Sequence, residues 1–209
     1  MMTYLSRFTY LVLVIMMLGT GQTYAQKFSA MVNINALTIN NVQPNVDSLS
    51  VSAEGTTDLS LNLRLFLKEK WAIRVGAGLE RLRYTVNNGD VSTNYEAIRS
   101  DLKGILGFER HFKFSRFDFY PGVFVPIIVV GDDKIQDNFE NIKNGGVRAG
   151  FGVLAGLNVK IIGPLRAGVE FDTSFDSFKG TVWEAAQSQS TVPFRGLTYN
   201  LAITLGVQI

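Results

Sequence analysis

The chain has 209 residues, 46% hydrophobic and 18% charged, with 20 Gly, 5 Pro, no Cys and a formal net charge of +2. An ordinary apolar share excludes intrinsic disorder, although charged residues fall below the roughly 25% of an average soluble domain. The near-neutral balance provides no basic stripe to replace phosphate counterions, which argues against nucleic acid as a partner. Without Cys there is no disulfide framework, thiol nucleophile or cysteine-ligated metal.

Residues 1-25 read as a signal peptide cleaved after Ala25. Arg7 precedes the apolar run from Phe8 to Leu18, and Thr23-Tyr24-Ala25 supplies a small-residue cleavage site. That run is too short to span a bilayer, which takes about 20 residues in a helix. Its removal takes Arg7 with it, and residues 26-209 form a single domain on the way to the cell envelope.

From residue 27 onward the apolar period is 2 and no stretch reads as an amphipathic helix. Eight runs alternate. The first places Phe28, Ala30, Val32, Ile34 and Ala36 on one face; the second Leu59 to Leu67; the third Trp71 to Leu79. The fourth runs from Ile98 to Phe108, the fifth from Phe117 to Val129, and the sixth from Val147 to Val159. The seventh runs from Leu165 to Phe175 and the eighth from Leu197 to Ile209. On this parity no residue is charged.

The opposite parity carries Arg64, Arg74, Glu80, Asp101, Lys103, Glu109, Asp118, Arg148, Lys160, Arg166, Glu170 and Asp172, cations and anions in equal number. It also carries Gly76, Gly78, Gly107, Gly122, Gly150, Gly152, Gly156, Gly168 and Gly206. In a soluble sandwich or ligand-binding barrel this glycine-rich face would lie outside, where glycine weakens strands for no packing gain. In a small membrane barrel the apolar parity meets lipid, and glycine makes room for neutralising charges in a narrow lumen. The pattern therefore predicts an all-β protein, an eight-stranded antiparallel up-and-down transmembrane β-barrel in the outer membrane.

Short links at 68-70, 111-116 and 162-164 alternate with long ones at about 37-58, 84-95, 131-146 and 176-196, as periplasmic turns alternate with extracellular loops. Trp71, Phe112, Phe114 and Phe117 fall at one expected interface, and Tyr84, Tyr95, Phe175, Phe178, Trp183 and Tyr199 at the other, as headgroup-level anchors.

The run from Leu59 to Glu80, followed by Phe119-Tyr-Pro-Gly-Val-Phe-Val125, resembles the outer membrane protein β-barrel domain family, which includes OmpX-type and OmpA-type barrels and PorT-like barrel proteins. The last strand, Leu201-Ala-Ile-Thr-Leu-Gly-Val-Gln-Ile209, is similar to that family's insertion signal, ending in Ile209 where an aromatic is usual. The resemblance implies the barrel assembly machinery and membrane lipids, lipopolysaccharide included, as partners, and a monomer. It implies a non-enzymatic envelope protein serving integrity or adhesion and recognition through its loops, or alternatively a small-solute or PorT-like secretion-accessory barrel; a soluble secreted barrel that binds a hydrophobic ligand is the second alternative.

Inside an eight-stranded barrel the charges must pair. Arg64 and Arg74 share a depth on neighbouring strands, so Glu109 and Asp118 are the expected partners; Asp101 and Lys103 are expected to face Glu170 and Asp172 across the lumen. His111, the sole histidine, reads as a solvated turn residue, away from where a Ser-His enzyme of the outer leaflet would need it. No catalytic residue, cofactor or metal site is expected. Gly150 to Gly156 is no dinucleotide loop, because its glycines share one strand parity and no helix follows. Asp132, Asp133, Asp137 and Glu140 form an acidic loop, read as solvated, and residues 181-187 as a short helix.

Overall fold

The computed structural model describes residues 27-44, 50-55, 59-67, 70-87, 95-135, 146-183 and 189-209. The leader expected at 1-25 lies outside them. The strands are β1 (Phe28–Pro44), β2 (Ser50–Gly55), β3 (Leu59–Leu67), β4 (Trp71–Asn87), β5 (Tyr95–Arg110) and β6 (Phe112–Phe114). They continue with β7 (Phe117–Val129), β8 (Asp133–Ile135), β9 (Val147–Lys160), β10 (Leu165–Trp183) and β11 (Gln189–Gln208).

Eight of these close the barrel, in the circular order β1-β3-β4-β5-β7-β9-β10-β11, with every neighbouring pair antiparallel. Closure comes from β1 against β11, running from Ser29 opposite Gln208 to Pro44 opposite Phe194. The terminal backbone is tied there too, since Phe28 N–H donates to Ile209 O at 2.9 Å and Ile209 N–H to Phe28 O at 2.8 Å. β2 prolongs the line of β3 between β1 and β4, β6 pairs with β7, and β8 pairs with β5.

The uncharged parity faces outward: Leu59, Leu79, Phe151 and Ile203 are all more than half exposed. The other parity turns inward, where Arg64, Glu109, Glu170 and Asp101 are buried to within 1%. A soluble barrel around an apolar core would show the reverse, so the fold is that of a membrane barrel.

Four sequence expectations are corrected. The first run does not keep one parity: a register shift between Asn35 and Leu37 moves the outward set from Val32 and Ile34 to Leu37 and Ile39, because a bulge adds one unpaired residue and turns every later side chain to the other face. Three of the four long links are shorter than their polar composition suggests, because β1, β4, β10 and β11 continue as hairpins past the apolar stretch. Thr181 to Trp183, expected to start a helix, finish β10 instead, opposite Gln189 to Thr191; residues 184-187 lie outside the described residues. Tyr84 and Tyr95 are not interfacial, since both occupy the inward parity and Tyr95 is 2% exposed.

Trp71, Phe117, Phe175 and Tyr199 do face outward. Trp71 stacks on Phe108 at 5.0 Å between ring centroids and carries Arg110 over its face at 5.2 Å. The side chains of Phe178 and Trp183 lie outside the described residues.

The outward parity makes a direct prediction. Val153 stands in the middle of β9, paired with Val123 and Thr173. Val153→Arg is expected to cost roughly 2 to 4 kcal/mol of folding stability in lipid vesicles, measured by urea unfolding, whereas an outward position beyond the apolar band should tolerate Arg.

Candidate functional site

The inward residues of β3, β4, β5 and β10 meet in one cluster. Arg64 Nε donates to Glu109 Oε2 at 2.6 Å and its Nη2 to Glu170 Oε2 at 3.0 Å. Arg74 donates from Nη1 to Glu109 Oε1 at 3.2 Å and from Nη2 to Glu170 Oε1 at 2.7 Å. Two guanidiniums that face each other in register would repel; two carboxylates shared between both turn that repulsion into a neutral quartet.

Position around the wall makes this quartet a barrier. In the circular order β10 lies opposite β4, four strands away in either direction, so the Arg74–Glu170 pair spans the lumen. Glu170 also accepts from Asn33 Nδ2 on β1 at 2.8 Å and from the Tyr120 hydroxyl on β7 at 3.0 Å. One carboxylate thus draws donors from β1, β3, β4 and β7. Arg64 lies 4.4 Å over the Tyr120 ring, a cation–π contact that fills the remaining space.

Glycine makes that filling possible. A Cβ at Gly156 would collide with the Tyr120 ring and one at Gly152 with the Phe124 ring, their cross-strand partners. Only a side chain of one hydrogen lets a large ring lie flat across the neighbouring strand.

His111 is not a solvated turn residue. It is 3% exposed, with Nε2 at 3.2 Å from Glu109 Oε2 and Nδ1 at 3.0 Å from Asp118 Oδ1. Its ring stacks on Tyr120 at 5.3 Å. Asp118 therefore pairs with His111, and Glu170 takes the place expected of it beside the two arginines. The register of β5 on β7 ends at Glu109 opposite Gly122, next to Pro121, which has no N–H to give the ladder. The strand breaks between β5 and β6, and His111 N–H donates to Lys70 O at 2.7 Å. The signal was in the sequence, because 101, 103, 107, 109 and 111 share one parity.

A second cluster lies toward the long hairpins. Arg99 Nε donates to Asp101 at 3.0 Å and Arg148 Nη2 to Asp101 at 3.1 Å, while Gly131 N–H donates to the same carboxylate at 2.9 Å. Asp133, read from sequence as part of a solvated loop, is 1% exposed and 3.9 Å from Arg99. The loop folds back as β8 and pairs Asp133 with Arg99 in register. Asp132 is exposed, and Asp137 and Glu140 lie outside the described residues. Arg99 was missed although it lies within the run from Ile98 to Phe108 and shares the parity of Asp101.

The remaining sequence-derived charges divide. Asp101 does not face Glu170; it is neutralised by Arg99 and Arg148. Glu80, Lys103 and Asp172 line a cavity above the quartet. Arg166 is half-buried, with Nε 3.3 Å from Gln208 Oε1. Lys160 has the inward parity but is exposed, since it ends β9 at the rim.

Both ring nitrogens of His111 contact carboxylates, so neither is free to take a proton from a hydroxyl nucleophile. Carboxylates only accept, so both contacts are hydrogen bonds when the imidazole carries both protons. His111 lies past the end of β5, outside the spanning strands. Burial pushes its pKa down, and the bonds to Asp118 and Glu109 outweigh burial and hold it raised.

No family model matches the chain, and no curated protein matches it in sequence. The fold is shared with solved structures. The outer membrane protein OprG from Pseudomonas aeruginosa superposes with a TM-score of 0.59 at 11% identity, over 88% of this chain and 96% of that one. A major outer membrane protein from Thermus thermophilus gives 0.58 at 10% identity, over 89% and 100%. At such identities the likeness establishes the barrel fold.

Two predictions follow from the clusters. Glu170→Ala leaves two buried guanidiniums sharing one carboxylate and is expected to cost about 3 to 5 kcal/mol, the usual penalty for uncovering a buried charge, read by urea unfolding in detergent; Glu170→Gln should recover part of it. For His111, a folded-state pKa raised above that of the unfolded chain stabilises fully below about pH 6.5 and loses its effect as pH rises through the raised value. The unfolding midpoint should fall over that window in the native chain and stay flatter in His111→Gln.

Proposed function

We propose that this chain is a non-enzymatic integral outer-membrane barrel whose lumen is closed and whose function is carried by its outer hairpins, in envelope integrity or surface recognition. The observation that carries this reading is the quartet of Arg64, Arg74, Glu109 and Glu170. Its bonds cross the lumen from β3 and β4 to β10. A solute on its way through would have to break several charge-assisted hydrogen bonds in a low-dielectric interior, and nothing in such a lumen would replace them.

The hairpins supply the surface. β10 and β11 stay paired out to Trp183 opposite Gln189, well beyond Phe175 and Tyr199, which face outward. Paired backbone at that height is a stiff stalk, which presents a recognition surface with less ordering cost than a free loop.

Exposed cations at both ends suit this orientation. Lys27, Lys70, Arg110, Lys113, Arg116 and Lys160 are exposed around the short-turn end. Such a basic collar suits the anionic headgroups of an inner leaflet, with the short turns in the periplasm. Arg81 and Arg83, exposed on β4 above Leu79, suit the phosphates of lipopolysaccharide at the outer leaflet. A monomer inserted by the barrel assembly machinery accords with the closed single-chain ladder.

Two measurements test the reading. In planar bilayers the purified protein is expected to give no steady unitary conductance, and Arg74→Ala with Glu170→Ala together should give one. Cells expressing a variant lacking residues 178-194 should lose surface binding while the barrel keeps its heat-modifiable migration. A steady conductance in the native protein, or unchanged surface properties in the shortened variant, overturns the proposal.

A further inference from the structure

The exposed cations of the short-turn end do not share one face. Lys27, Lys70, Lys113, Arg116 and Lys160 each precede or follow an outward residue, so they stand in the inward register at the rim or in the turns. Arg110 is the exception. It lies opposite Trp71 in the ladder of β4 with β5, two residues past Phe108, on the face that this end otherwise gives to lipid.

Its guanidinium is set among aromatic rings. Arg110 Cζ is 5.2 Å from the ring centroid of Trp71 and 5.0 Å from that of Phe112. Trp71 is itself stacked on Phe108 at 5.0 Å, and Phe112 packs on Phe119 at 6.1 Å. Cation–π contacts engage the charge and leave the five N–H donors of the group uncommitted. Among the described residues no carboxylate or carbonyl accepts from them. The planar fork of an arginine matches phosphate oxygens two at a time, and here the fork is held in place without being used.

Depth selects the phosphate. Away from the turns the outward face continues as Phe108 and Leu106 on β5 and as Val75 on β4, all exposed and apolar. Tryptophan settles at the headgroup level of a bilayer. A group bound to Arg110 beside Trp71 therefore stands where hydrocarbon gives way to water, at the level of lipid phosphates. Lys70, the neighbour of Trp71, is also exposed, and the turn Lys68-Glu69-Lys70 sums to one positive charge.

We propose that Arg110 is the centre of a binding site for the phosphodiester of an anionic phospholipid, with the rings of Trp71 and Phe112 holding the guanidinium and an acyl chain lying along Phe108 and Leu106. This deepens the reading of a basic end suited to anionic headgroups and rests on it only for the leaflet. Lipid preference in vesicles is read whichever way the barrel inserts, so its failure is distinct from failure of the orientation or of the role of the hairpins.

The test uses the full chain carrying Trp183→Phe, which leaves Trp71 as the sole indole, in vesicles of phosphatidylcholine and phosphatidylglycerol in equal parts. One lipid or the other is brominated on its acyl chains, and the quenching of Trp71 in the two mixtures gives the relative association of the lipids with that site. Phosphatidylglycerol should be preferred by about three- to fivefold, the gain of one well-placed basic group at an anionic surface. Arg110→Gln should bring the ratio close to one, and Arg116→Gln, on the inward register, should leave it unchanged. Should Arg110→Gln lack the heat-modifiable migration of a folded barrel, Arg110→Lys decides, since loss of the fork should lower the ratio. Inorganic phosphate should have no more effect than chloride at equal ionic strength, because a free ion has no chain to lay along Phe108. No preference in the native chain, a preference unchanged in either Arg110 variant, or an equal loss in Arg116→Gln, as for a diffuse collar of charge, overturns the proposal. Displacement by inorganic phosphate but not by chloride assigns the site to a free ion and overturns it as well.

Discussion

Hydrocarbon has no hydrogen bonds to give, so each unpaired backbone N–H or C=O placed in it costs several kcal/mol. A sheet that enters a bilayer must therefore have no free edge within it. Here that condition is met by the pairing of β1 with β11, which joins the first strand to the last and leaves the ladder continuous around the wall. Everything else about the molecule is set once that closure is made. The outward parity must be apolar over the height of the bilayer, and eight strands fix a lumen only wide enough for side chains.

A lumen of that width has to be filled and neutral. Large rings lie across glycines, as Tyr120 does over Gly156, and the guanidiniums of Arg64 and Arg74 lie between two shared carboxylates. The glycines and the charges on the inward parity are two parts of one packing solution. Removing either a glycine or a carboxylate leaves the rest without room or without a partner. The low dielectric that makes an isolated charge costly is also what makes the quartet a firm barrier.

Much of this was legible in the chain. Alternation from Leu59 to Leu67 and from Val147 to Val159 gave strand positions and the lipid face, and the glycines opposite them told a membrane barrel from a soluble one. The exceptions have local physical causes. The bulge near Asn35 inverts the parity of β1 without a Gly or Pro to mark it. The hairpins extend past the membrane because polar strands are as well paired as apolar ones, although they lack the alternation that betrays a strand in sequence. His111 looked like a turn residue because it follows Arg110 in a short polar link, but it keeps the inward parity of Glu109 and is buried beside it.

By itself the sequence determined which face of each strand meets lipid and that the inward face carries balanced charge, because both follow from a period of two along a single strand. Which charges pair was decided only by the closed barrel. Glu109 and Glu170 lie 61 residues apart in the chain, and Asp118 is nearer to Glu109 in sequence than Glu170 is, yet Glu170 completes the quartet while Asp118 turns to His111. Closure brings β10 to the far wall from β4 and within reach of its side chains across the lumen. Distance across a barrel depends on its circumference and register, and neither is written in any one strand.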